Sequence, residues 1–331
     1  MSGESRLALV RAAIARRNPA RLPILFFNQD REESDIILID VVRHFQGPGR
    51  DRSEWGFAWE HLDRTMGQPR APVLRDWGAL DRLPVPDARD STRFAAVAET
   101  QGAFGERYYL ASLVLSGFTI MSFLRGFSEL LVDLVERPWE AERLADLVFG
   151  FEEEVLRQLP AHGFHGAAFY DDWGTQDSLI LSPALWRERF RPRYRRQFEL
   201  VHSLGLDVYF HTCGCVTDII PDLIEAGVDM LNLSQPNLFD IEELGRRYAG
   251  RVCFVCPVSY QTTAISGTEE DIRREVGRLV RNLGRGGGGL IGYVEEYSSI
   301  GMSEANYRAC IRAFRELGGY PPAGGTSAIG V

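Results

Sequence analysis

His211 and Cys213 stand one residue apart at the end of an apolar run, a spacing that can bind a metal ion. In an extended strand over 206–213, alternate side chains share a face, so the imidazole and the thiol lie side by side. Both groups are good zinc ligands at distances of about 2.0–2.3 Å. Gly214 then lets the chain turn away without a side chain. The pattern predicts a metal site; its structural alternative is a buried histidine beside an inert thiol.

A catalytic zinc ion normally keeps three protein ligands and one open position for water or substrate. The third ligand must therefore come from another strand. Glu295, Glu296 and Cys256 follow or end other apolar runs, and each is a candidate. Cys253 precedes Cys256 by three residues, so in a strand the two thiols face opposite sides and do not chelate together. The choice among the three candidates stays open at this point.

Asp171 and Asp172 are adjacent carboxylates at the end of a further apolar run. Such a pair can serve as a general base or a cation site, and crowding raises the pKa of one member. The structural alternative is helix capping and loop hydrogen bonding. Other polar and aromatic side chains near the ends of these runs are expected to contact a substrate. They are Trp173, Gln176, Asn232, Gln235, Tyr260 and Tyr297.

The elements that position these residues form a repeating pattern of an apolar run followed by a long amphipathic stretch. Five such units follow residue 160, with predicted strands at 166–172, 206–214, 228–236, 251–259 and 290–299. Strands that alternate with helices indicate a parallel sheet. Two earlier apolar segments, 21–28 and 108–124, bring the count close to eight. We therefore predict an α/β fold, a TIM (β/α)8 barrel with its site at the carboxyl ends of the strands, in preference to an open doubly wound sheet.

The rest of the chain is expected to elaborate this barrel. The segment 44–106 is irregular and rich in Gly, Pro, Trp and Asp, and we expect it to cover the barrel mouth. Residues 1–317 are predicted to form a single domain. Residues 318–331 form a Pro/Gly-rich tail with turn composition.

Composition excludes several classes of function. The 37 basic residues against 46 acidic give a net charge of −9, which argues against a nucleic-acid surface. All 37 are arginine, so the chain has no lysine to form a Schiff base, bind pyridoxal phosphate or serve in a P-loop. Five cysteines in a long chain favour a reducing cytoplasm over a disulfide framework. The longest apolar run, 110–124, is shorter than the roughly 18 residues that cross a membrane, so no membrane contact is expected.

Several motifs in order carry a family resemblance. They are SEWGFAWE (53–60), DDWGTQDSLILSP (171–183), VYFHTCG (208–214) and IEAGVDMLNLSQP (224–236). Together they resemble the uroporphyrinogen decarboxylase superfamily, specifically its methyltransferase-like branch, over roughly residues 5–315. The resemblance implies a TIM barrel with its site at the C-terminal rim.

True uroporphyrinogen decarboxylases carry an Arg-Gln-Ala-Gly-Arg-Tyr stretch near the N-terminus that binds substrate carboxylates. The matching region here reads PILFFNQDREESDII (23–37) and lacks it, so that activity is not expected. In the corrinoid-linked methyltransferases, His-x-Cys and a later cysteine hold zinc, which converts a thiol into a nucleophilic thiolate. His211 and Cys213 match the first two ligands. GYVEEYSS (292–299) has no cysteine where that family has its third, so a glutamate or Cys256 replaces it, or the metal is lost.

The resemblance thus implies a zinc-dependent methyltransferase that moves a methyl group between a small substrate or thiol and a corrinoid (cobalamin) on a separate partner protein. The alternative is a decarboxylase or lyase that acts on a small carboxylic acid without metal. A third hypothesis is a barrel that only binds a partner such as a corrinoid protein. Metal analysis separates the first two hypotheses, and loss of turnover in His211→Ala would exclude the third. The oligomeric state that we consider for this chain is a homodimer.

Overall fold

The computed structural model describes residues 4–44, 51–60 and 67–319. Of the predicted Pro/Gly-rich tail, residues 320–331 lie outside this description. The strands are β1 (Ile24–Phe26), β2 (Ile36–Asp40), β3 (Trp59–Glu60), β4 (Gln68–Pro69), β5 (Tyr108–Leu113), β6 (Gly166–Tyr170), β7 (Asp207–Thr212), β8 (Met230–Leu233), β9 (Cys253–Pro257) and β10 (Leu290–Val294).

The α-helices are α1 (Arg6–Ile14), α2 (Val97–Phe104), α3 (Gly117–Arg125), α4 (Phe127–Glu136), α5 (Pro138–Leu156), α6 (Pro183–Arg189), α7 (Arg191–Ser203), α8 (Ile220–Ala226), α9 (Ile241–Tyr248), α10 (Thr263–Ser266), α11 (Glu269–Leu283), α12 (Arg285–Gly288), α13 (Tyr297–Ile300) and α14 (Glu304–Leu317). Short 3-10 turns occur at Arg31–Glu33, Trp77–Arg82, Ser91–Phe94, Leu159–His162, Thr217–Ile219 and Pro236–Leu238. Along the part of the chain that the structure describes, no helix is both long and apolar enough to span a membrane.

Eight strands form one sheet in the order β1-β10-β9-β8-β7-β6-β5-β2. The pairs β1–β10, β10–β9, β9–β8, β7–β6 and β6–β5 are parallel. Parallel neighbours require crossover connections, and helices provide them. This order and alternation are those of the TIM (β/α)8 barrel, which confirms the predicted fold class.

The chain divides into two compact units. The first unit comprises Met1–Ile37, Glu106–Tyr108 and Asp229–Val331, and the second comprises Leu38–Gly105 and Tyr109–Val228. The predicted single domain over 1–317 stays a prediction.

The second unit packs β6 and β7 against a buried aromatic cluster. Phe118, Trp173, Trp186, Phe190 and Tyr194 are all almost completely buried, with neighbouring ring centroids 4.5–6.2 Å apart. These distances are typical of edge-to-face and offset aromatic packing. The cluster fixes the segment that follows β6 against α3, α6 and α7.

The first unit packs β8, β9, β10 and β1 with α9, α11 and α14. Helix α11 begins at a capping box, in which Thr268 and Asp271 exchange hydrogen bonds between side chain and backbone. Its buried face carries Ile272, Val276 and Leu279 at helical spacing. Amphipathic periodicity and a cap thus account for this helix from its own sequence.

The irregular segment 44–106 lies in the second unit except for Glu106, and residues 45–50 and 61–66 within it are not described. It contains the short β3–β4 pair, two 3-10 turns and α2. A buried ion pair between Arg93 and Glu54 holds it together, with a closest N–O distance of 2.5 Å. Its position over the barrel mouth stays a prediction.

Candidate metal centre

The ends of β6 and β7 are brought together by the parallel register, which places Tyr170 opposite His211. The two chain segments stay paired beyond the strands. The Asp171 amide donates to the His211 carbonyl at 3.1 Å, and the Gly174 amide donates to the Cys213 carbonyl at 3.0 Å. The residues that follow the two strands therefore share one site.

Asp172, His211 and Cys213 form a group with one oxygen, one nitrogen and one sulfur donor. Cys213 Sγ lies 3.6 Å from His211 Nε2, which lies 3.7 Å from Asp172 Oδ1. All three donor atoms lie within 4.8 Å of one another. Zinc–ligand bonds of about 2.0–2.3 Å at tetrahedral angles place ligand atoms about 3.3–3.8 Å apart. The oxygen, nitrogen and sulfur donors are of the types that zinc binds, and the two distances from His211 Nε2 lie in this range.

The Asp172 carboxylate is oriented by the backbone around it. Its Oδ1 accepts a hydrogen bond from the Cys213 amide at 2.8 Å. The Asp172 amide itself donates to Thr119 Oγ1 at 3.2 Å. The carboxylate is thus tied to the loop that carries Cys213, and 52% of its side chain remains exposed, so a ligand can reach it from solvent.

Two glycines allow the loops after β6 and β7 to touch. A Cβ built on Gly214 would lie 2.1 Å from the carbonyl carbon and oxygen of Gly174. A Cβ on Gly174 would lie 2.4 Å from the Cys215 amide nitrogen. Gly214 also has φ of +80°, which L side chains rarely adopt. The predicted turn at Gly214 is present, and its second function is this close backbone contact.

Asp171 has a different environment from its neighbour. It is fully buried, and its oxygens accept hydrogen bonds from the Phe118 and Thr119 amides, each at 2.8 Å. The hydroxyls of Thr119, at 2.7 Å, and Tyr194 also donate to it. Burial raises the pKa of Asp171 to about 7, against these hydrogen bonds, which lower it. Asp171 caps the start of α3, while Asp172 belongs to the candidate metal-ligand group.

A second buried acid, Glu152, supports the same helix start. Its Oε1 accepts from the Gly117 amide at 2.7 Å, and its Oε2 accepts from Gln197 Nε2 at 2.7 Å. Burial raises the pKa of Glu152 to about 8. Sequence reasoning missed this residue, because a glutamate among the three acids at 152–154 of an amphipathic helix looks like part of a solvated face.

Tyrosine rings adjoin the histidine of this group. The Tyr170 ring lies 4.7 Å from the His211 ring, and Tyr209 lies 6.0 Å from Tyr170, measured between centroids. Sequence reasoning did not select Tyr170 as a site residue. Its signal was its place one residue before the adjacent aspartates at the end of a strand.

The other predicted residues of the second unit lie in contrasting places. Trp173 is fully buried in the aromatic cluster, and its indole Nε1 donates to the Tyr194 hydroxyl at 2.8 Å. It therefore packs in the interior of the second unit, and its contact with a substrate stays a prediction. Gln176 is exposed on the loop after β6.

The predicted alternative ligands lie in the first unit. Cys256 is fully buried, and burial raises the pKa of its thiol to about 12. Burial raises the pKa of Glu295 to about 7; this carboxylate accepts from the Tyr293 hydroxyl at 2.9 Å and the Glu296 amide at 3.1 Å. Glu296 accepts from the Ser298 hydroxyl at 2.7 Å. Metal binding by Glu295, Glu296 or Cys256 stays a prediction.

The remaining predicted substrate contacts also belong to the first unit. Asn232 is fully buried on β8, and its side-chain amide donates to the Val255 carbonyl at 2.7 Å, which fixes it to β9. Gln235 and Tyr260 are half-buried. The Tyr297 ring packs 5.3 Å from the Tyr307 ring. Their contact with a substrate stays a prediction.

Comparison with known proteins gives both a family and a fold. The family model described as uroporphyrinogen decarboxylase (URO-D) matches residues 63–317. A solved methyltransferase from Methanosarcina mazei is similar at 14% identity and a TM-score of 0.72, covering 95% of this chain and 99% of that one. A chitinase from Chromobacterium violaceum has 10% identity and a TM-score of 0.43, covering 89% and 99%. No curated protein sequence matches.

Proposed function

The chain belongs to the uroporphyrinogen decarboxylase family, and from this premise we propose that it is a zinc-dependent methyltransferase. It moves a methyl group between a small substrate or thiol and a corrinoid carried by a separate protein. The observation that carries this proposal is the group of Asp172, His211 and Cys213, whose donor atoms lie within 4.8 Å of one another and are of the types that zinc binds. The Methanosarcina mazei methyltransferase supports it at the level of fold.

In this proposal Asp172 supplies the third ligand, because its Oδ1 already faces His211 Nε2. Zinc with one carboxylate and one imidazole ligand beside a thiolate still leaves one position open. When bound, zinc would supply a thiolate at neutral pH by deprotonating a coordinated substrate thiol. A carboxylate makes the site harder than one with two cysteines, so an oxygen-bearing substrate also suits it.

The chain's own residues orient this site. The Cys213 amide holds the Asp172 carboxylate, and Thr119 holds the Asp172 backbone. The Tyr170 ring covers one side of the His211 imidazole, which is 16% exposed. The side of this group that solvent reaches is the one formed by the Asp172 carboxylate, and we place the incoming substrate there.

Zinc content tests the metal assignment. We expect the purified protein to bind about one zinc per chain by elemental analysis, and His211→Ala and Cys213→Ser to lose it. Cys215→Ser is the matched control, because Cys215 is also half-buried, two residues away, and its thiol lies 3.7 Å from Thr217 Oγ1. No zinc after titration of the wild type, or equal loss in Cys215→Ser, would contradict the assignment.

Methyl transfer tests the reaction. With methylcobalamin as donor and a small thiol as acceptor, the Co–C bond breaks, an S–C bond forms and the electron pair stays on cobalt. The change in corrinoid absorbance reports the transfer. We expect this change with the wild type and not with Cys213→Ser. Zinc-loaded protein that leaves methylcobalamin unchanged with a panel of thiols and other small nucleophiles would contradict the proposed reaction.

A second candidate function is a metal-independent decarboxylase or lyase acting on a small carboxylic acid. Its specific support is Glu295, because burial raises the pKa of this carboxyl to about 7, so it can carry a proton near neutral pH. Activity retained after chelation and lost in Glu295→Gln would favour this function. Activity lost on chelation and restored by zinc would exclude it.

A further inference from the structure

Three neighbouring connections of the first unit carry arginines and no acidic residue. They join α1 to β1, α9 to β9 and α11 to β10, and they are neighbours because β1, β10 and β9 are adjacent in the sheet. The segments 5–29, 244–268 and 276–294, which contain them, hold 11 arginines and no aspartate or glutamate. The whole chain has 46 acidic residues, so these segments differ sharply from the rest of the sequence.

The backbones of the three connections touch one another. The Asn18 amide donates to the Gly287 carbonyl at 2.8 Å, which ties the α1–β1 connection to the α11–β10 connection. A Cβ built on Gly287 would lie 2.0 Å from the Arg16 carbonyl oxygen. One built on Gly286 would lie 3.6 Å from the Gly250 amide nitrogen, in the α9–β9 connection. The glycine turn thus lets the other two connections approach without side chains between them.

Six arginines at these connections form no ion pair within the described residues. Five of them are exposed and one, Arg16, is half-buried. The guanidinium carbons of Arg247 and Arg251 lie 5.0 Å and 5.9 Å from the centroid of the Tyr248 ring, so the two cations share one ring. The six, which we call the basic patch, are Arg16, Arg17, Arg247, Arg251, Arg281 and Arg285.

Helix dipoles explain only part of this charge. The carboxyl end of a helix carries a partial negative charge and attracts a cation in its last turn. Arg16 uses this attraction directly, because its guanidinium donates to the Ile14 carbonyl at 2.9 Å. One arginine at each helix end would meet that need, whereas α1, α9 and α11 each have two of the basic patch at or just beyond their ends. Like charges without counter-ions repel one another, and an acidic ligand would remove that repulsion.

We propose that the basic patch binds an acidic segment of a partner protein, an extended stretch with several aspartates or glutamates. Guanidinium groups bind carboxylates through two parallel hydrogen bonds. Adjacent strands lie about 4.8 Å apart and adjacent helices about 8–10 Å apart, so three connections span about 10–20 Å. An extended chain covers this distance with about three to six residues.

Other polyanions lack their usual contacts here. Single-stranded nucleic acids stack on exposed aromatic rings, and membrane-surface helices insert apolar side chains. The Tyr248 ring is only 2% exposed and cannot stack on a base. Among the described residues, the exposed large apolar side chains all belong to the second unit. The net charge of −9 also repels a long polyanion beyond the basic patch.

A fluorescein-labelled peptide of about eight glutamates tests this proposal by fluorescence anisotropy in about 50 mM salt. We expect saturable binding of one peptide per chain. A variant with four arginines of the basic patch changed to glutamine should raise the dissociation constant at least about tenfold. That variant is Arg247→Gln/Arg251→Gln/Arg281→Gln/Arg285→Gln.

The matched control removes the same charge from four exposed arginines of the first unit that are ion-paired with carboxylates. It is Arg273→Gln/Arg274→Gln/Arg308→Gln/Arg312→Gln. We expect it to change the dissociation constant by less than about threefold, because these guanidinium groups already have partners. Circular dichroism checks that both variants are folded. Zinc content should be equal in both, since neither changes the candidate metal-ligand group, so this test is independent of the proposed function.

Neutralising one connection at a time tests whether a single segment spans the basic patch. Arg247→Gln/Arg251→Gln and Arg281→Gln/Arg285→Gln should each weaken binding about threefold, with one peptide still bound per chain. An unchanged dissociation constant in either double variant would show that the peptide does not span both connections and would overturn the proposal.

Three other results would overturn it. One is no saturable binding of the peptide up to about 1 mM, and another is equal weakening in the matched control. The third is tighter binding of a uridine RNA or of phosphatidylserine vesicles than of the peptide, lost in the fourfold variant of the basic patch. That result would assign the patch to a nucleic acid or a lipid surface.

Discussion

The buried carboxyl of Glu152 predicts an unusual dependence of stability on pH, which Glu152→Gln should remove. Burial raises the pKa of this group from its ordinary value of 4.5 to about 8 in the folded chain. Glutamine has the same shape and no charge. Its oxygen can still accept from the Gly117 amide, and its NH2 group can donate to Gln197 Oε1 once the Gln197 amide, whose Nε2 now donates to Glu152, turns over by 180°.

The raised pKa of Glu152 determines whether stability rises or falls with pH. A carboxyl whose folded pKa is raised binds its proton more tightly in the folded state, so its contribution is complete below about pH 4.5. That contribution is lost as pH rises towards 8. Between pH 5 and pH 7 the two pKa values give a loss of about 2–3 kcal/mol in the free energy of unfolding. The glutamine variant has no such loss, so its stability relative to the wild type rises by this amount.

Urea unfolding at pH 5, 6, 7 and 8, in metal-free buffer, measures the difference between the two proteins at each pH. Taking the difference removes the contribution of all groups that titrate equally in both. Glu154→Gln on the same helix is the control, because Glu154 is partly exposed and paired with Arg89 at the surface. A wild-type–variant difference that is constant with pH would refute the reasoning, and so would one that changes equally in the control.

Three further predictions concern the metal centre and its support. Gly214→Ala should destabilise the fold by about 2–4 kcal/mol and lower zinc content, because the methyl group would meet Gly174. Gly205→Ala, with a similar φ of +74° and open space around its Cβ, should cost only about 1 kcal/mol and retain zinc; equal effects in both would contradict the contact argument. Asp172→Asn should weaken zinc affinity about tenfold or more by titration, and unchanged affinity would remove it from the ligand set. Tyr194→Phe should lower the free energy of unfolding by about 1–3 kcal/mol by leaving a buried carboxyl short of one donor, which urea unfolding measures.

The fold could be predicted where buried strands alternate with amphipathic helices. All five strands predicted after residue 160 are present, each within a few residues of its predicted bounds. The earlier segment 108–124 was less clear, because it contains β5 followed by the first eight residues of α3. Both are almost wholly buried, so neither shows the polar alternation that separates a strand from a helix. β2 was missed for the same reason, as a short apolar run.

The adjacent positions of the His211 and Cys213 side chains could be predicted from the sequence, because a strand places alternate side chains on one face. The directions of the Asp171 and Asp172 side chains could not be predicted in this way, because beyond a strand the direction of a side chain depends on the backbone of the loop; their predicted catalytic function stays a prediction. Here that direction is set by contacts distant in sequence: the α3 amides draw Asp171 inwards, and the Cys213 amide holds Asp172.

The proposed third donor, Asp172, could not be chosen from strand ends alone, because its position depends on contacts between two loops. Gly174 and Gly214 are 40 residues apart, and each looks like an ordinary turn residue in the sequence. Their mutual contact adds to the parallel register of β6 and β7, and together these place Asp172 Oδ1 3.7 Å from His211 Nε2. The spacing of the candidate metal-ligand group therefore depends on the close approach of the two backbones as much as on its donor atoms. Gly214→Ala, which keeps every donor, is for this reason a sharper test of the site than removal of a ligand.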